Sequence, residues 1–325
     1  MNIKKAHNLA LALFAILVLS TPLQAQNYPV RPIRFVVAYP PGGATDILAR
    51  VMAQKLTESF GQQVVVENRS GASGMVGADA VAKAAPDGYT VLVSTAAEIA
   101  INQHLYSKMS YDPVKDLAPV SYAAHAAVLF SVHPSVPANS IAQLIALARA
   151  RPGELTYASV GTGSVHHLSG ELLKTIARIN IVHIPYKGAG PAVIDMVGGH
   201  VSMGFTALPS SLPHARAGKL RPIAVTGSKR GEAAPDIATF VELGFPAIDV
   251  VSWFGVLFPA RTPADIVAKL STEVARTVNN PEVKAKLLQQ GIEVIGTTPE
   301  QFAKFIQSEV ARYAKIIKES GAKLD

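Results

Sequence analysis

The sequence predicts an α/β fold built from short β-strands that alternate with longer helices. Three observations support this. Short runs rich in β-branched and apolar residues recur along the chain, with amphipathic helical patterns between them. The helical segments start at Pro or at a capping residue, and several are followed by Gly. No internal repeat or low-complexity tract interrupts the alternation. The pattern is typical of an α/β protein with a largely parallel sheet.

Each element follows from local residue spacing. In the first predicted helix, Asp46–Ser59, apolar side chains recur at spacings of three and four and so form one stripe. The other predicted helices are Ile141–Arg149, Val165–Ala177, Pro191–Gly198, Pro263–Val278, Pro281–Gln290 and Pro299–Glu319. The predicted strands are Ile33–Ala38, Val64–Glu67, Thr90–Ser94, Val128–Val132, Leu155–Ser159, Ile181–Ile184, Met203–Thr206, Ile223–Thr226 and Ser252–Phe258.

Two extended apolar stretches suggest how the chain divides into domains. Residues Ala123–His133 and Asp249–Pro259 have the composition of strands that cross from one domain to another. Two such crossings place both ends of the chain in domain 1, residues 26–127 and 251–325, and the middle, residues 128–250, in domain 2. We expect a ligand cleft between the domains and a hinge at the crossings.

The first 25 residues predict export. Lys4 and Lys5 precede an apolar run, Leu9–Leu19, and a small residue, Ala25, ends a region typical of signal-peptidase cleavage. We therefore expect residues 1–25 to be a secretory signal peptide that is cleaved after Ala25. The chain has no cysteine, which excludes disulfides, thiolate metal sites and a cysteine nucleophile.

The positive charge and its scattered distribution fit a small anionic solute better than a nucleic acid. The formal charge is +7, and removal of Lys4 and Lys5 leaves +5. A basic solvated surface is one interpretation, and attraction of anionic solutes into a cleft is another. Lys and Arg are scattered, without the interleaved aromatic residues of a nucleic-acid-binding surface.

A glycine-containing loop after the first strand is the strongest local signal. It runs from Tyr39 to Asp46 and leads from a strand into a helix. Gly42 and Gly43 allow the backbone to approach a ligand, and the unpaired N–H groups of the helix N-terminus favour a carboxylate. Thr45 or Asp46 are candidates to cap this helix. The loop alone fits equally well a strand-to-helix turn that binds nothing.

Two further loops repeat this pattern. Residues Tyr157–Ser164 pass through Gly161 and Gly163 into a helix, and Pro185–Pro191 adds the cation Lys187. Three donor-rich helix starts in one chain predict that an anionic ligand is held from both sides of a cleft.

Other chemistries lack their motifs. No nucleotide-binding glycine loop, nucleophile elbow, zinc-protease or β-lactamase motif is present in the sequence. His166 fits a helix histidine at the cleft rim or in the core better than a catalytic base, because no carboxylate or nucleophile forms a pattern with it. Glu98 is expected either to turn to solvent, the favoured interpretation, or to bind a donor group of the ligand. Trp253 and Phe254 are expected to pack at the hinge.

Several motifs in order along the chain resemble the Bug family, the TctC-type substrate-binding proteins of tripartite tricarboxylate transporters. They are Tyr28–Val37, Pro41–Arg50, Glu67–Gly74, Pro86–Thr90, Ser159–Leu168, Val182–Gly188 and Trp253–Gly255. Together these motifs extend over nearly the whole mature chain.

The resemblance implies a type II periplasmic binding protein with two α/β domains, a central ligand cleft and two crossing segments. It implies no enzyme activity, no cofactor and no metal. The expected function is capture of a small carboxylate, a di- or aromatic carboxylate being favoured, and its delivery by a monomeric protein to membrane permease subunits. A periplasmic ligand sensor remains an alternative, as does, with less support, a hydrolase or lyase on a bilobal frame. The expected ligand-binding residues are Gly42, Gly43, Ala44, Thr45, Asp46, Thr95, Ala96, Ser159, Gly161, Thr162, Gly163, Ser164, His166, Lys187, Gly188, Ala189, Thr206 and Ala207.

Overall fold

The computed structural model describes residues 28–322. The predicted signal peptide, residues 1–25, lies outside the described residues. The strands are β1 Ile33–Val37, β2 Val64–Asn68, β3 Thr90–Thr95, β4 Leu117–Ala126, β5 Val128–Val132, β6 Thr156–Ser159, β7 Val182–Pro185, β8 Met203–Ala207, β9 Arg221–Val225, β10 Ser252–Pro259 and β11 Glu293–Val294.

The α-helices follow the strands in alternation. They are α1 Ala44–Phe60, α2 Met75–Ala82, α3 Asn102–Leu105, α4 Ile141–Ala150, α5 Val165–Ala177, α6 Ala189–Val197, α7 Leu208–Arg216, α8 Ala264–Val278, α9 Pro281–Gln289 and α10 Pro299–Ser320. Short 3-10 turns lie at Ala72–Gly74 and Pro246–Ile248, and a π-helical segment lies at Ala97–Ile101.

The strands form two separate sheets. The first has the order β11, β4, β10, β3, β1, β2, and the second has the order β7, β6, β8, β5, β9. In the first sheet β1 is central to the parallel part, where Phe35 is in register with Val66 of β2 and Val91 of β3. In the second sheet β6 runs parallel to both β7 and β8. The predicted α/β fold with two sheet-centred halves is confirmed.

The sheets are mixed, which corrects the expectation of a largely parallel sheet. β10 runs antiparallel to β3 and β4, and β5 runs antiparallel to β8 and β9. These are the strands that follow each passage of the chain from one sheet to the other, at Ala127 and between Val225 and Ser252. A strand that arrives from the other sheet enters at the end of the sheet opposite to that at which its neighbours begin. It therefore runs antiparallel to them.

The core continues through both crossing strands. Trp253 of β10 is fully buried, and its Nε1 donates a hydrogen bond to Oε2 of Glu309 in α10 at 3.0 Å. In the second sheet Phe130 stacks on Phe205 with ring centroids 4.4 Å apart. No helix within residues 28–322 is long and apolar enough to span a membrane.

Candidate ligand-binding site

Four helix N-termini converge on one cavity. In each case a strand ends and the chain turns into a helix: β1 leads to α1, β6 to α5, β7 to α6, and β8 to α7. The connection from β1 to α1 belongs to the first sheet, and the other three connections belong to the second. Ligands of α/β proteins bind at this edge because the carboxyl ends of parallel strands and the following helix starts meet there.

The cavity at this edge has a volume of about 40 Å³ and a largely apolar wall. Phe254 of β10, Val160 and Val165 contribute the larger apolar surfaces. The residues that line it include no lysine, arginine, aspartate or glutamate within the described chain. Any charge on a ligand must therefore be matched by backbone dipoles and hydroxyl groups instead of by an opposite side-chain charge.

Three of these helices start without a side-chain cap. The N-cap residues are Gly43 for α1, Gly188 for α6 and Ala207 for α7, and none provides a capping hydrogen bond. In α5 the hydroxyl of Ser164 accepts the N–H of His167 at 3.2 Å. The first-turn N–H groups of an uncapped helix need another acceptor, and an anion satisfies them and is favoured by the helix dipole.

Asp46 acts inside the first loop and does not cap α1. Its buried carboxylate accepts hydrogen bonds from the N–H of Gly42 at 3.0 Å, from Nε of Arg50 at 2.9 Å and from Nδ2 of Asn68 at 2.9 Å. Burial acts to raise the pKa of Asp46, but these hydrogen bonds outweigh it and hold the pKa below its usual value. The carboxylate fixes the loop that carries Gly43 and Ala44 into the cavity.

His166 is a neutral polar group in the cavity wall. It is only 5% exposed, and neither ring nitrogen has a hydrogen-bond partner among the described residues. Burial lowers the pKa of His166 to about 3, so the imidazole is uncharged at neutral pH. A neutral imidazole offers one donor and one acceptor, and a bound ligand is the natural partner for both.

Glu98 is buried, and the favoured prediction that it turns to solvent is wrong. Its side chain is fully buried behind Tyr39 and Thr95, both of which line the cavity. The carboxyl accepts hydrogen bonds from both hydroxyl groups, and this pairing makes burial of the group possible. Burial raises the pKa of Glu98 to about 7.

A second, larger cavity adjoins the first. Its volume is about 310 Å³, and it shares Tyr39, Pro40 and Val160 with the first cavity. Its wall carries the exposed cation Lys187. Its other walls come from the turn at residues 70–74 and from the loop after β6.

Loops from the two sheets touch across these cavities. Oγ of Ser73, from the first-sheet half, donates a hydrogen bond to the carbonyl of Thr162 from the second. Within the first half, Nδ2 of Asn102 supports this turn by donating to the carbonyl of Ser73 at 3.0 Å. Gly188 has φ 122°, and a Cβ there would lie 2.9 Å from Cδ of Pro40. The close approach of these loops therefore depends on a residue without a side chain at position 188.

The structure brings together ten of the predicted ligand-binding residues in the first cavity. They are Gly43, Ala44, Thr45, Thr95, Ala96, Ser164, His166, Gly188, Ala189 and Ala207. Three others, Gly161, Thr162 and Lys187, line the second cavity.

The remaining five predicted residues line neither cavity and instead shape the loops. The N–H of Gly42 donates to Asp46. Ser159 lies 2.7 Å from Nε2 of His183 and accepts the N–H of Gly161 at 3.2 Å. The N–H of Gly163 donates to Nδ1 of His167, and Thr206 bonds Ser211.

Seven residues of the first cavity wall were not predicted. They are Tyr39, Pro40, Ala97, Val160, Val165, Ser252 and Phe254. Five of them adjoin predicted residues in the loops, so the loop signal was present. Ser252 and Phe254 arrive from the crossing strand β10, and sequence proximity gave no signal for them.

The described residues hold no cluster of three or more side chains suited to binding a metal ion. The arrangement of neutral donors around a small apolar cavity suits recognition of an anionic solute.

Comparison with known proteins agrees with this class of site. "Protein BugT" of Bordetella pertussis is 40% identical over 94% of this chain and 94% of its own length. The solved structure of R. palustris Rpa4515 with adipate has a TM-score of 0.89, is 40% identical, and covers 92% of this chain and 100% of that one. MatC from Rhodopseudomonas palustris with bound malate has a TM-score of 0.85 at 31% identity, with 89% and 100% coverage.

The fold is that of a solute-binding protein, and its solved structural neighbours include a periplasmic transporter and the periplasmic binding protein BugD. A model of the family described as "Tripartite tricarboxylate transporter family receptor" matches residues 48–322, and the chain belongs to that family. The resemblance noted from the sequence motifs is confirmed. The family and its structural neighbours are solute-binding proteins and not enzymes, which confirms the expectation that this chain has no catalytic role.

Proposed function

We propose that this protein captures a small carboxylate in the periplasm and delivers it to the permease of a tripartite tricarboxylate transporter. The observation that carries the proposal is the meeting of four helix N-termini around one cavity that, within residues 28–322, is lined by no lysine, arginine, aspartate or glutamate. Hydrogen bonds from N–H groups to a carboxylate are charge-assisted and stronger than bonds between neutral groups.

The apolar wall supports a di- or aromatic carboxylate. Phe254, Val160 and Val165 offer surface to a hydrocarbon or ring, whereas the helix starts offer donors to its acidic end. The binding of adipate by Rpa4515 and of malate by MatC supports the same ligand class.

Capture proceeds by closure of two domains about the crossing segments. In this proposal domain 1 comprises residues 26–127 and 251–325 and contributes the start of α1. Domain 2 comprises residues 128–250 and contributes the starts of α5, α6 and α7. A ligand stabilises the closed state because only there do donors of both domains reach it. The bond between Ser73 and Thr162 supports this role for closure.

Membership of the tripartite tricarboxylate transporter receptor family supports delivery to a permease. We propose that residues 1–25 direct export and that the mature protein acts as a monomer, since a shuttle that encloses its solute presents its surface to one permease at a time.

A thermal-shift screen of residues 26–325 tests carboxylate capture. Mono-, di- and aromatic carboxylates are compared with their neutral amides, because a ligand that binds only the folded state raises the melting temperature. A shift with one acid class and none with its amides is expected. Shifts with neutral or cationic solutes alone would contradict the proposal.

A matched pair of variants links the shift to the helix starts. Ala189→Asp places a carboxylate at the first residue of α6, where it favours the helix but competes with an anionic ligand in the cavity. Ala264→Asp makes the same change at the exposed first residue of α8. The ligand-induced shift should disappear in Ala189→Asp and persist in Ala264→Asp.

A further inference from the structure

The carboxyl of Glu98 accepts hydrogen bonds from the hydroxyl groups of Tyr39 and Thr95 in the adjacent cavity wall. Oε2 accepts hydrogen bonds from Oγ1 of Thr95 at 2.7 Å and from the hydroxyl of Tyr39 at 3.1 Å. Oε1 accepts the N–H of Thr95 at 2.7 Å. Gly74 closes the carboxyl from the other side, since a Cβ at this residue would lie 2.9 Å from Oε2.

A hydroxyl group has one proton to donate and lone pairs with which to accept. When the Glu98 carboxylate receives the protons of Tyr39 and Thr95, the oxygens of these two residues can only accept from the cavity. The two hydroxyl oxygens also lie 3.1 Å from each other, and with both protons directed to Glu98 neither donates to the other. Thr95 in addition accepts the N–H of Ala97 at 3.2 Å, which leaves the phenol oxygen of Tyr39 as the more available acceptor.

We propose that Glu98 is a positioning residue that sets ligand specificity through Tyr39 and Thr95. With Glu98 ionised, this wall selects a ligand that carries a hydrogen-bond donor, such as a hydroxyl group, at the end opposite its carboxylate. The inference rests on the proposed function, since it assumes that the helix starts hold that carboxylate. It adds the chemical class of the second end of the ligand.

Protonation of Glu98 reverses the polarity of the wall. A protonated carboxyl donates to one of the two hydroxyls, and a hydroxyl proton is then free to point into the cavity. A dicarboxylate, which offers only acceptors at both ends, is bound with uptake of one proton, whereas a hydroxy acid is bound without it. Burial outweighs the hydrogen bonds and raises the pKa of Glu98 to about 7, so both states are accessible near neutral pH.

Tyr39, Tyr111 and His166, which lie near Glu98, do not change charge in this range. Burial and the facing Glu98 raise the pKa of Tyr39 well above its usual value, and burial does the same for Tyr111, whose hydroxyl donates to the backbone carbonyl of Glu98 at 2.6 Å. In the same cavity, burial keeps the pKa of His166 at about 3.

The helices packed against residues 97–101 direct their charged groups to other partners. His104 of α3 bonds the carbonyl of Val310, and Glu309 of α10 receives Trp253 and Arg312. Tyr313 of α10, whose pKa burial raises, is uncharged as well. The Glu98 carboxyl accepts hydrogen bonds from Tyr39, from Thr95 and from the backbone N–H of Glu98 itself, none of which changes charge in this range.

Isothermal titration with two pairs of matched acids tests the inference. The pairs are adipate with 6-hydroxyhexanoate and succinate with 4-hydroxybutanoate, in which one carboxylate is replaced by a hydroxyl-bearing carbon. Each acid is titrated into residues 26–325 between about pH 6.5 and about pH 8.5, in two buffers that differ in ionisation enthalpy. Above pH 7 the affinity for the diacid should fall about tenfold per pH unit, with uptake of one proton, and that for the hydroxy acid should stay constant.

The Glu98→Gln variant imitates the protonated state. Its amide oxygen can accept the N–H of Thr95, and its NH₂ group can donate to the hydroxyls, which are then free to donate into the cavity. The variant should bind the diacid independently of pH and should discriminate less in favour of the hydroxy acid at about pH 8.5. The wild-type proton count provides a test that does not depend on the folding of this variant.

Two results would overturn the inference in different ways. If diacid and hydroxy acid bind with the same pH dependence in the wild type, Glu98 does not set specificity, although carboxylate capture stands. If neither pair binds at any pH while neutral solutes do, the carboxylate site itself is wrong and the inference falls with it.

Discussion

The hydroxyl of Ser73 donates a hydrogen bond to the backbone carbonyl of Thr162. Ser73 lies in the turn before α2, which belongs to the part of the chain that forms the first sheet, and Thr162 lies in the loop that leads from β6 of the second sheet into α5. The bond therefore joins two loops, one from each half of the chain, that both line the second cavity.

Ser73→Ala should weaken ligand binding without unfolding the protein. Loss of one hydrogen bond costs about 1 kcal/mol, which corresponds to roughly fivefold lower affinity if the bond forms only on closure. Ser308→Ala is the control, since Ser308 is exposed and bonds within its own helix. Calorimetric titration of both variants should show weaker binding for Ser73→Ala alone. Equal affinities, with a lower melting temperature for Ser73→Ala, would assign the bond to the unliganded fold instead.

The main effect of Asp46→Ala should be a loss of stability of the unliganded protein. The substitution leaves the donors of Gly42, Arg50 and Asn68 without their acceptor, at a cost on the order of 2 kcal/mol. Urea unfolding of the unliganded variant measures the cost, and an unchanged midpoint would show that the network is dispensable.

The stability of the protein should depend on the ionisation of Glu98. Because the pKa of Glu98 is raised from 4.5 to about 7 on folding, the folded state binds this proton more tightly than the unfolded state. The free energy of unfolding contributed by the group therefore falls as the pH rises from about 4.5 to about 7. The free energy of unfolding of Glu98→Gln, measured relative to that of the wild type, should therefore increase by up to roughly 3 kcal/mol from the lower to the upper end of this pH range.

Glu300→Gln provides a control of opposite sign. Backbone hydrogen bonding at the start of α10 lowers the pKa of Glu300, so its contribution is present above pH 4.5 and is lost as the pH falls. Denaturant unfolding at a series of pH values should show the Glu98→Gln difference growing with pH and the Glu300→Gln variant becoming less stable than wild type as pH rises. A pH-independent Glu98→Gln difference would contradict the buried, titrating carboxyl.

Local patterns predicted most of the fold. Apolar spacing placed α1 within two residues of its observed bounds, and the hydroxyl of Ser164 caps α5 as its position before the helix predicted. Helices α2, α3 and α7 were missed, and in α7 Pro213 lies inside the helix, where proline usually marks a break. The reversed directions of β5 and β10 depend on which sheet each strand joins, and no local pattern carries that information.

The sequence predicted the parts of the site that lie at helix starts. It did not predict the parts formed by residues from distant segments of the chain. Glycines and hydroxyls of the loops marked the wall formed by Gly43, Ser164 and Gly188. Phe254 comes from a strand that returns from the other sheet. The burial of Glu98 depends on Tyr39, which lies 59 residues earlier in the chain. Since an isolated glutamate is rarely fully buried, solvent exposure was the natural expectation until its partner was seen.

His166→Leu should weaken ligand binding while leaving the unliganded protein at least as stable. The ring nitrogens of His166 lack partners among the described residues, so their removal relieves an unsatisfied buried group in the absence of ligand. In the complex the same change removes a hydrogen bond, with an expected loss of about tenfold in affinity. His166→Gln retains a donor and an acceptor and should bind more tightly than His166→Leu. If all three proteins bind equally well, the imidazole is only a packing group.

The most direct test of the central claim is calorimetric titration of residues 26–325 with the strongest-binding carboxylate and with the primary amide of the same skeleton. In the proposed site the helix starts hold the negative charge of the ligand, and no lysine, arginine, aspartate or glutamate among the described residues lines the cavity. Replacing the carboxylate by an amide therefore removes the charge and leaves shape and size nearly unchanged. We expect the acid to bind at least a hundredfold more tightly than the amide, since charge-assisted hydrogen bonds to several N–H groups are each roughly twice as strong as neutral ones. Equal affinities for acid and amide would contradict the account, because shape alone would then explain binding and the helix N-termini would have no role in recognition.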